Sequence, residues 1–422
     1  MRSAIALSLS VTIAFLGLTA ATPVWAATEI SSVTAASTHL AASSDVSRYS
    51  GADRYDVAIN VAAEYSPGVP VLYVAKGTDY PDALSAAPAA AAGGGPLLLT
   101  LPDTLIPRVR AEIQRLQPAK IVVVGGEAAV SAAVYRELVT LSGNVTRIGG
   151  ADRYETSRNL VDYAFGATGA SRVYLATGTN FPDALAAGAV AGGMNAAVIL
   201  VDGRAASIDA STSALIRKLH PNDGAIAGGP VSVSTGIESS LSSVALPGGW
   251  QRFTGADRYA TATSINQDAF DLSGTVYMAT GANFPDALTG AVLAGSRRAP
   301  LFLVPGPCVT PGVATAIRSL SPAHIVVFGG PVAVADAAQN LVECAAAPPV
   351  VVAPPVVVPP PVVVPPVTAP SGNPGDTKNC GSFSTWGDAQ AWFLTYYPLY
   401  GDVAKLDADN DGDACETLSG HR

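Results

Sequence analysis

The chain has 422 residues, room for several domains, and 49% of them are apolar, enough to bury sizeable cores. Its net charge of −9, from 24 basic and 33 acidic residues with no basic tract, excludes nucleic-acid binding of the electrostatic kind. Charged residues make up 14%, and the abundance of alanine, valine and glycine suits buried parallel strands and close helix–sheet contacts.

Residues 1–26 read as a signal peptide. Arg2 supplies the positive charge, an apolar run extends from Ala4 to Leu18, and Val24 and Ala26 occupy the −3 and −1 positions of a cleavage site. The run is short for a bilayer and Pro23 follows it, which disfavours a membrane anchor. The apolar stretch near 350–367 is broken by prolines, so no membrane span is expected after cleavage. Residues 27–47 read as a flexible linker.

The chain then repeats itself. Gly51-Ala52-Asp53-Arg54-Tyr55 returns as Gly150-Ala151-Asp152-Arg153-Tyr154 and as Gly255-Ala256-Asp257-Arg258-Tyr259, at spacings of 99 and 105 residues. Tyr80-Pro81-Asp82-Ala83-Leu84 matches Phe181-Pro182-Asp183-Ala184-Leu185 and Phe284-Pro285-Asp286-Ala287-Leu288. A third motif is a strand ending in Gly-Gly, at Gly125-Gly126, Gly228-Gly229 and Gly329-Gly330. A period near 100 residues is too long for a solenoid turn and implies three whole domains, 48–147, 148–251 and 252–345.

Each repeat has α/β texture. In the first, a helix capped near Asp53 runs to about Glu64, strands are predicted at 71–75, 97–99 and 121–124, and helices begin at the Pro81-Asp82 turn and span 105–116 and 132–141. Strands alternating with helices predict a parallel, doubly wound sheet, and the continuous apolar strands fit burial on both faces.

On these motifs the three repeats resemble the type 2 cell-wall-binding repeats of Gram-positive surface proteins and autolysins, over residues 48–345. The resemblance implies a small Rossmann-like fold for each repeat, a pseudo-threefold arrangement of three copies, and non-covalent attachment to an anionic cell-wall glycopolymer.

The residues themselves leave two readings of the Gly-Ala-Asp-Arg-Tyr motif. Asp53 can cap a helix while Arg54 forms a salt bridge across the repeat interface. Alternatively, Arg54, Arg153 and Arg258 grip anionic groups of the polymer through their bidentate forks, with threefold multiplicity adding avidity. Asp82, Asp183 and Asp286 would repel anions at the helix starts, so structural capping is expected of them. No phosphate-binding glycine motif, His-Glu-x-x-His pattern or Gly-x-Ser-x-Gly elbow is present, and the chain outside the repeats offers no segment for a catalytic domain. A non-catalytic protein is expected.

Four cysteines in an exported chain suggest disulfides. The proline-rich stretch separates Cys308 and Cys344 from Cys380 and Cys415 and favours pairing within each couple, although free thiols are open for the first. Residues 346–377, with proline clusters between valine triplets, read as an extended spacer.

The tail carries Asp407, Asp409, Asp411 and Asp413 at alternate positions, with Gly412 at the sixth and Glu416 at the tenth. Carboxylates at positions 1, 3 and 5 with a glycine at 6 are what a calcium loop needs, but position 12 is Leu418, so it is not a standard EF-hand. The run, with Cys415-Glu416 and the upstream Asn379-Cys380, resembles the Excalibur domain over 378–418 and implies bound Ca2+. Trp386, Ala389, Trp392 and Phe393 have helical spacing and supply a small core that a metal and a disulfide would staple. The expected whole is an exported, wall-attached surface protein displaying a calcium-binding domain to an unknown extracellular partner. A cell-wall hydrolase, or its accessory subunit, is the alternative.

Overall fold

The computed structural model describes residues 44–345, 372–408 and 413–420, in two units divided at Ala345. The signal peptide, most of the linker and spacer, and residues 409–412 of the acidic loop lie outside the described residues.

The first unit repeats one pattern three times. The first pass runs β1 (Asp45–Tyr49), α1 (Arg54–Ala62), β2 (Leu72–Lys76), α2 (Pro81–Leu84), α3 (Ala86–Gly93), β3 (Leu97–Thr100), α4 (Pro107–Leu116), β4 (Ile121–Val124) and α5 (Ala132–Leu141). The second runs β5 (Val145–Ile148), α6 (Arg153–Phe165), β6 (Arg172–Thr177), α7 (Pro182–Gly193), β7 (Ala196–Val201), α8 (Ala210–Leu219), β8 (Asp223–Ala227) and α9 (Thr235–Ser240). The third runs β9 (Trp250–Phe253), α10 (Arg258–Ala269), β10 (Thr275–Thr280), α11 (Pro285–Ser296), β11 (Leu301–Val304), α12 (Pro311–Ser319), β12 (His324–Phe328) and α13 (Asp336–Gln339).

These elements build three four-stranded, all-parallel sheets, ordered β3-β2-β4-β5, β7-β6-β8-β9 and β11-β10-β12-β1. Central strands such as Ile121–Val124 are buried at every residue, as helices on both faces require. The three strands foreseen in the first repeat are present and recur in the other two, and a fourth joins them in each. It is the short segment that leads into the next Gly-Ala-Asp-Arg-Tyr motif. In the third sheet that place falls to β1, paired from Asp45↔His324 to Tyr49↔Phe328. The ring of repeats therefore closes within one chain, and Asp45 to Ser47, at the end of the segment read as linker, are strand.

α3, α7 and α11 pack on one another around the pseudo-threefold axis. Their equivalent residues Ala91, Gly192 and Gly295 meet there. A Cβ on Gly192 would lie 2.7 Å from Ala91 Cβ, and one on Gly295 3.1 Å from Gly192 Cα. No larger side chain fits at that crossing. In the first repeat the helix is broken at Ser85 into α2 and α3, because Pro88 has no N–H to donate to Leu84 and its ring crowds that carbonyl. At the head of these helices Tyr80, Phe181 and Phe284 form an edge-to-face triad, with centroids 5.7, 5.6 and 6.0 Å apart.

Cys308 and Cys344 form a disulfide that ties the end of the first unit to the loop before α12, beside a bridge between Val309 and Glu343. The second unit holds α14 (Trp386–Tyr400), whose Ala389 and Phe393 pack on Ala404, Leu406, Ala414 and Cys415. Cys380 and Cys415 are disulfide-bonded. Trp392 lies at the edge of this core and its ring faces Phe383 and Tyr396.

Candidate functional site

The repeated motifs converge at the carboxyl ends of the strands, where open α/β sheets place their ligand crevices. Asp53, Asp152 and Asp257 each cap the following helix, accepting from the two backbone N–H groups at the second and third residues beyond. This satisfies donors that a helix start leaves orphaned.

The three motif arginines are laid across the interfaces. Arg54, Arg153 and Arg258 donate through Nη1 to the carbonyls of Gly77, Gly178 and Gly281 at 2.7, 2.7 and 2.6 Å, each within its own repeat. Arg54 also lies over the ring of Phe284, and Arg258 over that of Phe181, in each case an aromatic of the preceding repeat. The interface salt bridge expected of Arg54 is not formed. Among the described residues no carboxylate comes within ion-pair distance of these three guanidinium groups. A turn carbonyl and an aromatic face take its place, and all three arginines are half-buried.

Asp82, Asp183 and Asp286 do not cap their helices with a hydrogen bond. Each packs instead against the first glycine of the Gly-Gly loop. A Cβ on Gly125, Gly228 or Gly329 would stand 2.5 Å from the respective Oδ2, and these glycines have φ of 101°, 116° and 103°. Burial pushes all three carboxyls above their ordinary pKa, and the arginine of the next repeat around the ring opposes the shift: Arg153 for Asp82, Arg258 for Asp183 and Arg54 for Asp286. Ser232 hydrogen-bonds Asp183, which is 8% exposed.

A second arginine triplet was not read from the sequence. Arg48, Arg147 and Arg252, on β1, β5 and β9, donate to the carbonyls of Gly329, Gly125 and Gly228 at 2.7, 2.9 and 2.7 Å. Burial lowers the pKa of Arg48 and Arg147 from the ordinary value. The signal was available, since each stands three residues before the glycine of Gly-Ala-Asp-Arg-Tyr. One crevice, of about 340 Å3, lies between the second and third repeats. Asp183 and Gly229–Ser232 form one wall, and Thr254–Arg258 the other.

In the second unit, Asp407 is 6% exposed, whereas Glu416 is exposed. The Cys415 N–H donates to the Leu406 carbonyl and closes the acidic loop at its base, and the Asp402 carboxylate accepts from the backbone of Leu406 and Asp407. Asp409 and Asp411 lie outside the described residues. Among the described residues no helix is long and apolar enough to cross a membrane.

Comparison with known proteins agrees with this geometry. The profile of the family described as Cell wall binding domain 2 matches residues 48–135, 147–238 and 252–339. The chain is 29% identical over 283 residues to the N-acetylmuramoyl-L-alanine amidase LytC of Bacillus subtilis, covering 67% of this chain and 55% of that protein. It is 28% identical over 223 residues to the Amidase enhancer of the same organism, covering 53% of this chain and 29% of the other. Among solved structures, Cwp8 from Clostridium difficile superposes with a TM-score of 0.65 at 25% identity, over 70% of this chain and 51% of that one. Cwp6 from the same organism gives 0.64 at 24%, over 72% and 49%. The chain thus spans about half of these proteins or less.

Proposed function

Because the chain belongs to the Cell wall binding domain 2 family, we propose that its three-repeat ring attaches the protein non-covalently to an anionic glycopolymer of the cell wall, at the outer surface of an exported protein. The observation that carries this reading is the threefold set of motif arginines at the carboxyl ends of the strands, with an open crevice beside Arg258 between the second and third repeats. Arg54, Arg153 and Arg258 each spend one N–H on a turn carbonyl and keep others for a phosphate or carboxylate. Three weak contacts on one rigid body add through avidity. Sedimentation of the mature protein with purified wall sacculi, before and after extraction of their anionic polymers, tests it. Binding should vanish with the polymer and weaken in Arg54→Ala, Arg153→Ala and Arg258→Ala. Equal binding to stripped walls would overturn the polymer as ligand.

The reading extends to the second unit as an Excalibur-like calcium module over 378–418. Asp407, Asp409, Asp411, Asp413 and Glu416 would hold the ion. An all-oxygen, carboxylate-rich donor set suits calcium, and the buried Asp407 and the backbone bond closing the loop favour a held geometry. Calorimetric titration of the full mature chain with Ca2+ should show one site, lost in Asp407→Asn. No heat above buffer would sink it.

The similarity to an amidase and to an amidase enhancer favours a second reading, in which the anchored protein assists a wall hydrolase. Muralytic assays with and without the protein, on intact sacculi, separate this from anchoring alone.

A further inference from the structure

The three repeat junctions are built from the same motifs but not filled alike, and the difference singles out the one that holds the crevice. In the first repeat the Asp56 carboxylate folds back and accepts from the Ala52 N–H at 3.2 Å. In the second, Glu155 accepts from the Ala151 N–H at 2.7 Å. In the third the same position is Ala260, and among the described residues the Ala256 N–H meets no acceptor. The other wall differs too. The residues after the Gly-Gly loop are Glu127-Ala128 in the first repeat, but Pro230-Val231 in the second and Pro331-Val332 in the third, with Val231 98% exposed.

The crevice between the second and third repeats therefore lacks an acidic side chain at both places where the junction between the first and second has one, Glu127 and Glu155. The junction between the third and first repeats keeps Asp56, which is also held by Arg108. We propose that the crevice between the second and third repeats is the principal ligand-binding subsite of the ring. It takes an anionic or hydroxyl oxygen of the glycopolymer on the Ala256 N–H beside Arg258, and seats an apolar sugar face on Pro230 and Val231. The other two junctions contribute more weakly, because Glu155 and Asp56 occupy the equivalent backbone donors and repel an anion. This inference rests on the wall-binding reading.

The test is to copy the acids of the junction between the first and second repeats into this crevice. Ala260→Glu recreates the pairing found at Glu155, and Pro230→Glu, at an exposed position, recreates Glu127. Each should keep or raise the melting temperature while weakening sedimentation with sacculi by about tenfold, through a blocked donor and like-charge repulsion. Glu155→Ala should leave binding unchanged or strengthen it. If the native protein binds sacculi and both acidic variants bind equally well, this subsite assignment is overturned while wall binding stands. If Glu155→Ala weakens binding as much as Ala260→Glu, it is overturned as well. If the native protein fails to bind sacculi, the wall-binding reading itself falls.

Discussion

At the scale of single residues, the repeated motifs are interface parts. The Gly-Gly loops need glycine because a carboxylate from the helix that opens at the Pro-Asp turn, earlier in the same repeat, occupies the space of a Cβ and because φ is strongly positive. Gly228→Ala should therefore cost about 1–3 kcal/mol from backbone strain alone, before any shift of Asp183, and lower the denaturant midpoint without changing the binding of Ca2+. Asp82, Asp183 and Asp286 carry raised pKa values, so the folded state holds their protons more tightly than the unfolded chain does. Their contribution is favourable below the ordinary carboxylate range and is lost as pH rises through the raised values. The triple Asp→Asn variant should melt higher than the native protein at pH 7, with the difference shrinking toward pH 4. A difference that grows on acidification would contradict this assignment. Of this layer, Gly-Ala-Asp-Arg-Tyr was legible as a helix cap with a placed arginine. The carbonyl and aromatic partners of that arginine were not, because they come from turns and neighbouring repeats far apart in sequence.

At the scale of elements, the long buried strands and the amphipathic helices announce themselves. β4 and α5 fall where the apolar periodicity puts them. The fourth strand of each sheet did not. Val145–Ile148 and Trp250–Phe253 are four residues long, lie at a sheet edge and include an arginine that reaches back over the Gly-Gly loop, so they show no continuous apolar run. β1 matters most among these because it closes the ring from the other end of the chain. Deleting residues 44–50 should uncover the β12 edge, remove the Arg48–Gly329 bond and lower the thermal midpoint. Size-exclusion chromatography should then show self-association, as an unpaired edge strand invites. A truncated protein that stays monomeric with an unchanged midpoint would show that the ring closes without it.

At the scale of the whole first unit, the three repeats share one hydrophobic core. α7 is buried from Pro182 through Ala191, covered on one face by β6 and β7 of its own repeat and on the others by α3 and α11 of the flanking repeats. The segment 148–251 on its own should be unfolded by circular dichroism, and the three-repeat body should melt in a single transition. A folded isolated repeat would mean that the ring adds little stability. The sequence by itself determined the number of repeats, the class of fold, most of the strands and the cysteine couples. These follow from local periodicity and from motifs that each repeat carries whole. Only the tertiary structure decided where the arginines go, why the glycines cannot change and which segment completes the third sheet. Those depend on surfaces that meet across the ring between residues as distant as Tyr49 and Phe328, and no local pattern encodes a partner that far along the chain.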